Sequence, residues 1–324
     1  RSAKLIDDQL LRTYRLAVST TGEYTEYHGG SVTDALAAIN ATITRVHEVF
    51  ERDLAIALEL VPETVQVIYT DPKTDPAGGN FSSEVQTVLT NQIGPGGYDI
   101  GHLFHKGPEN GFAGNVGNVC IDTEKGSAFA ATPDPQGDRF DLDFVAHEMG
   151  HQFGANHTWS FRNEGTGVQA EPGSGSTIMG YAGITQDDDV QPTGDDYFHY
   201  FSVLQISQYV TTTSCAQTAV LTNSPPQISA LTDFRIPVGT AFVLEGSASD
   251  PDTGDVLTYA WEQIDNGVVT QASFGPENAA GANFRSLRPK VDSMRYFPRL
   301  DRVITGDLTQ TNPDSGSAWE TVAT

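Results

Sequence analysis

The sequence predicts a mixed α/β domain that carries a histidine-bearing helix, followed by a smaller β module. Three observations predict it. Strand-like and helix-like stretches alternate over about the first 220 residues. Within them, the eleven residues His147-Glu148-Met149-Gly150-His151-Gln152-Phe153-Gly154-Ala155-Asn156-His157 place histidines at helical spacing. Asn223-Ser224-Pro225-Pro226 is a break in composition that reads as a linker, and the stretches beyond it are β-like. A chain of 324 residues exceeds one typical domain, so the expected division is 1–222, a linker at 223–226, and 227–324.

Leu11–Ser19 alternates into an apolar run and reads as the first strand. Ser31-Val32-Thr33-Asp34 opens a helical stretch through Val49, with Ala35, Ile39, Ile43 and Val46 on one face. Ala55–Val61 and Val65–Thr70 are β-rich and separated by Pro62-Glu63-Thr64, which suggests a pair of strands. A Gly/Pro/Asp-rich loop leads to a second helix over about Ser82–Ile93, and Tyr98–His105 reads as a buried strand. Gly111–Asp122 is strand-like, but its glycines make it an edge rather than a centre. The histidine helix is expected to start at Asp141 or Asp143, either of which could cap it. A last helix over about Ser202–Val210 precedes Cys215.

Net charge is −24, with 42 acidic against 18 basic residues. Such a surface repels nucleic acid and anionic membranes. Most of these carboxylates read as solvated, with adaptation to salt or calcium binding as the sharper alternatives. No apolar run approaches the ~20 residues of a membrane helix. No leader is visible at Arg1, so a signal and pro-segment are expected to have been removed or left off.

The histidine motif carries the chemistry. Positions four apart share a helix face, so His147 and His151 present two imidazoles to one point. Gly154 suits a left-handed residue just past the helix end, and the turn it allows brings His157 back as a third ligand. Glu148 sits one step from the first imidazole, within reach of a water on the metal without being a ligand. Three imidazoles, one open position and an adjacent carboxylate describe a catalytic zinc site rather than a closed structural one.

The pattern HExxHxxGxxH, followed by Ser176-Thr177-Ile178-Met179-Gly180-Tyr181-Ala182-Gly183, resembles the signature of the metzincin metallopeptidases. Met179 falls 22 positions after His157, and the first 220 or so residues are most similar to the reprolysin-like branch. Tyr181, two after the methionine, departs from typical reprolysins and is similar to astacins and serralysins. The resemblance implies a mixed twisted sheet beside the zinc helix and an edge strand at Gly111–Asp122 that pairs with extended substrate. It implies Glu148 as general base and Met179 as support beneath the histidines. Tyr181 becomes a candidate zinc ligand at rest and oxyanion donor. It also implies a Cys120–Cys215 disulfide, hence an oxidising compartment. The activity implied is that of a secreted zinc endopeptidase, acting on proteins or peptides and expected to be monomeric.

GSASDPDTGDVLTYAWEQ (residues 246–263) resembles bacterial Ig-like modules of the PKD type, which implies a β-sandwich with Trp261 buried inside it. Asp250, Asp252 and Asp255 are candidate calcium ligands, with a polar turn as the plainer reading. Two rival functions stand beside the endopeptidase. One is an adhesion or binding protein with an inert protease-like domain, against which intact Glu148 argues. The other is a zinc hydrolase of non-peptide amides.

Overall fold

The apolar run near the start of the chain is a strand, β1 (Leu10–Thr20), and the main sheet is assembled on it. The computed structural model describes residues 8–323, so the expected domain limits at residues 1 and 324 lie outside the described residues. β1 pairs in parallel with β2 (Ile56–Leu60) along Arg12–Leu16 and with β3 (Ile100–Lys106) along Leu16–Thr20. Beyond β3 lies parallel β5 (Ala128–Thr132), and β4 (Asn110–Phe112) forms an antiparallel edge on it. β6 (Gln217–Val220) runs antiparallel to β1 at Leu10–Thr13. Arg12 and Thr13 pair with both β2 and β6, so β6 lies on the side of β1 that β3 takes further along.

Parallel neighbours need crossovers, and helices supply them. α1 (Gly22–Tyr27) and α2 (Val32–Leu54) connect β1 to β2, and α3 (Phe81–Gln92) lies between β2 and β3. Ser31 caps α2 by accepting from the Asp34 N–H at 3.1 Å. The helix runs past Val49 until Ala55, at φ 53°, ends it. Val65–Thr70 is not the strand expected of it. Pro62 opens a 3₁₀ turn over Pro62–Val67, and only Ile68 bridges back to Thr20.

Strand alternation sorts the two faces of the sheet. Ala17, Leu103 and Phe129 join Val85 and Leu89 of α3 in one buried cluster. On the opposite face Tyr14 meets Phe153 edge-on at 5.0 Å, Phe50 of α2 packs on Phe153 at 5.6 Å, and Phe104 meets Phe140 at 5.2 Å. The histidine helix is thus laid on the sheet by the aromatic residues that flank it.

β5 is a strand the sequence did not announce: Ala128-Phe129-Ala130-Ala131-Thr132 is buried throughout, but alanine has little strand preference. The edge expected over Gly111–Asp122 is shorter than its pattern, because only Asn110–Phe112 pairs. The chain then turns away, with Gly114, Gly117 and Cys120 at positive φ, so Cys120 lies in a loop rather than a strand. Cys120 and Cys215 form a disulfide, Cα–Cα 5.7 Å, across 95 residues of chain. α6 (Tyr200–Val210) is the helix expected before Cys215.

The chain divides into two compact units, one running to Asn156 and resuming over Val203–Val220, the other His157–Ser202 with the chain from Leu221 on. The second unit has its own cores. Val190, Val269, Phe274 and Trp319 form one, and Phe284, Phe297 and Val322 another. Arg295 and Glu320 form a buried ion pair at 2.9 Å.

The expected Ig-like sandwich is not what the described residues show. β7 (Gln227–Ile228) pairs only with β9 (Ala248–Ser249), and β8 (Phe242–Glu245) only with β10 (Met294–Phe297). Strands of two to four residues in two separate pairs cannot supply the facing apolar rows of a sandwich. Trp261 is only partly buried, at the margin of the Phe284 cluster, with its indole N–H donated to Ser293 O at 2.9 Å. A short helix, α7 (Leu300–Thr305), follows β10. Among the described residues no helix is long and apolar enough to cross a membrane.

Candidate metal centre

The helix that carries the histidines starts earlier than its acidic residues suggest. It begins as α4 (Gly137–Phe140), widens into a π turn over Asp141–Ala146, and continues as α5 (His147–Gln152). Asp141 is therefore inside the helix, not at its cap. It is buried, it accepts from the Thr42 hydroxyl at 2.7 Å, and burial raises its carboxyl above the ordinary range. A π turn immediately before His147 is the kind of local irregularity often found at functional sites.

The rings of His147 and His151 lie 4.8 Å apart, nearly perpendicular. α5 ends in a Schellman arrangement: Ala155 N–H donates to Gly150 O at 3.0 Å, and Gly154 N–H to His151 O at 2.9 Å. Gly154 sits at φ +96°, as its place after the helix requires. It has a second constraint, because a Cβ there would come within 2.9 Å of Tyr209 Cβ. Tyr209, whose hydroxyl donates to Val119 O at 3.0 Å, was not legible as a supporting residue.

The three histidines converge. One ring nitrogen from each of His147, His151 and His157 lies within 4.8 Å of the others. Hydrogen bonding fixes which nitrogen carries the proton in two of them. His151 Nδ1 is 2.7 Å from Ala155 O, and a carbonyl can only accept, so Nδ1 carries the proton and Nε2 keeps its lone pair. His157 Nδ1 likewise faces the Glu164 carboxylate at 3.0 Å. This is the outer arrangement that metal-ligating imidazoles require, and the donor set fits zinc. Glu164, seven residues after His157 in a polar loop, carried no signal in the sequence.

Glu148 is buried, 8% exposed, and burial pushes its carboxyl up to about 8. Trp159 stacks on His157 at 5.0 Å, and Tyr181 meets the same ring edge-on at 4.6 Å. Met179 is fully buried in a tight turn: its carbonyl accepts from Thr158 N–H at 3.2 Å, and Gly180 N–H donates to Thr177 O at 2.8 Å. Glu171 ties the turn to the segment after His157. Its carboxylate accepts from the Thr158 and Thr177 hydroxyls, each at 2.6 Å, and from the N–H groups of Ser176 and Thr177 at 3.0 and 3.2 Å. Burial alone would raise this carboxyl, but the attraction of His199 and these donors leave it below the ordinary range.

The remaining candidates stand apart from this cluster. Carboxylate oxygens of Asp250, Asp252 and Asp255 lie within 4.8 Å of one another. Two of them accept backbone N–H groups, Asp250 from Asp252 at 2.8 Å within the turn and Asp252 from Ser224, so calcium has no support beyond proximity. His102 is buried against Gln152, His105 faces Thr21, and His47 faces Glu51, each in a packing role.

A family model described as "Metallo-peptidase family M12B Reprolysin-like" matches residues 11–210. No curated protein matches the chain. Among solved structures, the chain is similar to one described as "Structure of a chaperone-substrate complex". That likeness is at 15% identity and TM-score 0.35, covers 61% of this chain, and spans only about a third (36%) of that one. The family match takes in every histidine of the converging trio and most of the described sheet, and the chain belongs to the reprolysin-like metallo-peptidases of family M12B.

Proposed function

We propose that this protein is a zinc-dependent endopeptidase that works outside the cell and cuts peptide bonds with Glu148 as general base. The observation that carries the reading is the convergence of His147, His151 and His157, with Glu148 next to His147 on the same helix. When bound, zinc supplies Lewis acidity, which acidifies a water and polarises a peptide carbonyl. Glu148 takes the proton from the attacking water and returns it to the leaving nitrogen. Ala155 O and Glu164 hold the imidazoles of His151 and His157 in one tautomer throughout. The Tyr181 phenol donates to the oxyanion as it forms, and Met179 supports the site from the turn that follows.

The disulfide supports an oxidising compartment and hence secretion. The end of β6 at Val220 supports a catalytic domain over 1–222, a linker at 223–226 and an accessory region over 227–324. Casein or gelatin hydrolysis tests the reading: cleavage is expected, abolished by a chelator and restored by zinc. Glu148→Ala is expected to keep its zinc and lose turnover. Stoichiometric zinc with no cleavage of either protein contradicts the proposal and leaves the adhesion reading in its place.

A further inference from the structure

Gly111 occupies the middle of the edge strand β4, paired with Ala130 of β5. Its φ is not in the left-handed region, so backbone conformation does not explain a glycine there. Space does. A Cβ built on Gly111 would fall 2.3 Å from Glu148 Oε1, 3.0 Å from Cδ and 3.1 Å from Cγ. Contact with three successive atoms means that the whole carboxyl arm, not a mobile tip, lies against the strand. Glu148 is 8% exposed on a helix whose neighbouring residues are all buried, so the arm has little room to retreat.

We propose that Gly111 is a positioning residue for Glu148: the missing side chain is the seat in which that carboxyl rests, so that the edge strand sets where it points. The proposal rests on Glu148 as general base for its catalytic consequence, while the contact itself can be tested without turnover. Any side chain at residue 111 must displace Glu148 or bend β4 away. Bending β4 would break its pairing with β5, so Glu148 is the part that moves.

The test is a double-mutant cycle on Gly111→Ala and Glu148→Ala, read first as thermal unfolding of the zinc-free protein. Gly111→Ala alone is expected to lower Tm by roughly 2–4 °C or more. In the Glu148→Ala background, where the arm is gone, the same change is expected to cost little or nothing. If Gly111→Ala alone fails to fold, recovery of folding in the double variant supports the proposal, and failure to recover overturns it. An equal Tm loss in both backgrounds also overturns it, because the glycine then serves the strand and not the carboxyl. The functional arm compares kcat and zinc affinity. Gly111→Ala is expected to lose on the order of 10²-fold in kcat with zinc affinity unchanged, as befits a misplaced reacting group. Unchanged kcat overturns the positioning role. An active Glu148→Ala enzyme would instead defeat the general-base reading, while the unfolding cycle still decides the contact.

Discussion

The Glu164 carboxylate lies 3.0 Å from His157 Nδ1 and holds the proton on that nitrogen, which leaves the lone pair on Nε2. Partners of this kind orient a ligand and raise its basicity, and their loss costs about 10–100-fold in metal affinity. Glu164→Ala is therefore expected to weaken zinc binding by that factor in a chelator competition, with the fold intact by circular dichroism. Unchanged affinity would show that Trp159 and Tyr181 alone hold the ring.

Tyr181 has its ring against His157 and its backbone tied to Ser174 O at 2.7 Å. Tyr181→Phe keeps both and removes only the hydroxyl. In the proposed role of oxyanion donor, the phenol would account for on the order of 10²–10³ in kcat. The expected result is that loss with KM and zinc content little changed. Wild-type kcat in the zinc-loaded variant removes Tyr181 from the chemistry.

Glu171 is fully buried and satisfies two hydroxyls and two backbone N–H groups at once. Glu171→Ala strands all four donors, so a stability loss of about 3 kcal/mol or more is expected in denaturant unfolding of the zinc-free protein. Glu171→Gln, which keeps one acceptor, is expected to lose less. A neutral Glu171→Ala would mean that water replaces the carboxylate.

His102 is buried without exposure and burial lowers its pKa to about 4 from 6.5. The unfolded chain takes up a proton below pH 6.5 that the folded chain refuses until about pH 4. Stability from this group is thus full above pH 6.5 and declines as pH falls toward 4, by about 3 kcal/mol in all. His102→Asn retains a donor for Gln152 and does not titrate. Its zinc-free stability is expected to fall less steeply across that window than that of the wild type. Parallel profiles would show that His102 titrates normally.

The candidate site was legible where one short segment carries it. His147, His151 and Gly154 are spaced by helix geometry and its termination, so local sequence suffices to bring the histidines of a zinc-compatible cluster together. What was hidden depends on contacts between distant segments. Gly111 and Glu148 are 37 positions apart, and Tyr209 meets Gly154 across 55. Glu164 and Glu171 read as ordinary acidic residues in an acidic chain, because nothing local distinguishes a carboxylate with a fixed partner from a solvated one. β5 escaped because burial, not residue preference, makes an alanine-rich strand. Asp141 misled because a capping residue type sits mid-helix, where Thr42 of α2 satisfies it. The Ig-like sandwich is not shown for a related reason: a motif of eighteen residues predicts a turn and two β-like flanks, while a sandwich needs partner strands from elsewhere.

Metal analysis of the purified protein tests the central claim most directly, with each ligand histidine replaced in turn. One zinc per chain is expected in the wild type, falling to near none in His147→Ala, His151→Ala and His157→Ala variants that remain folded. Zinc that persists undiminished in folded variants, or a folded wild-type protein that takes up none, would contradict the account.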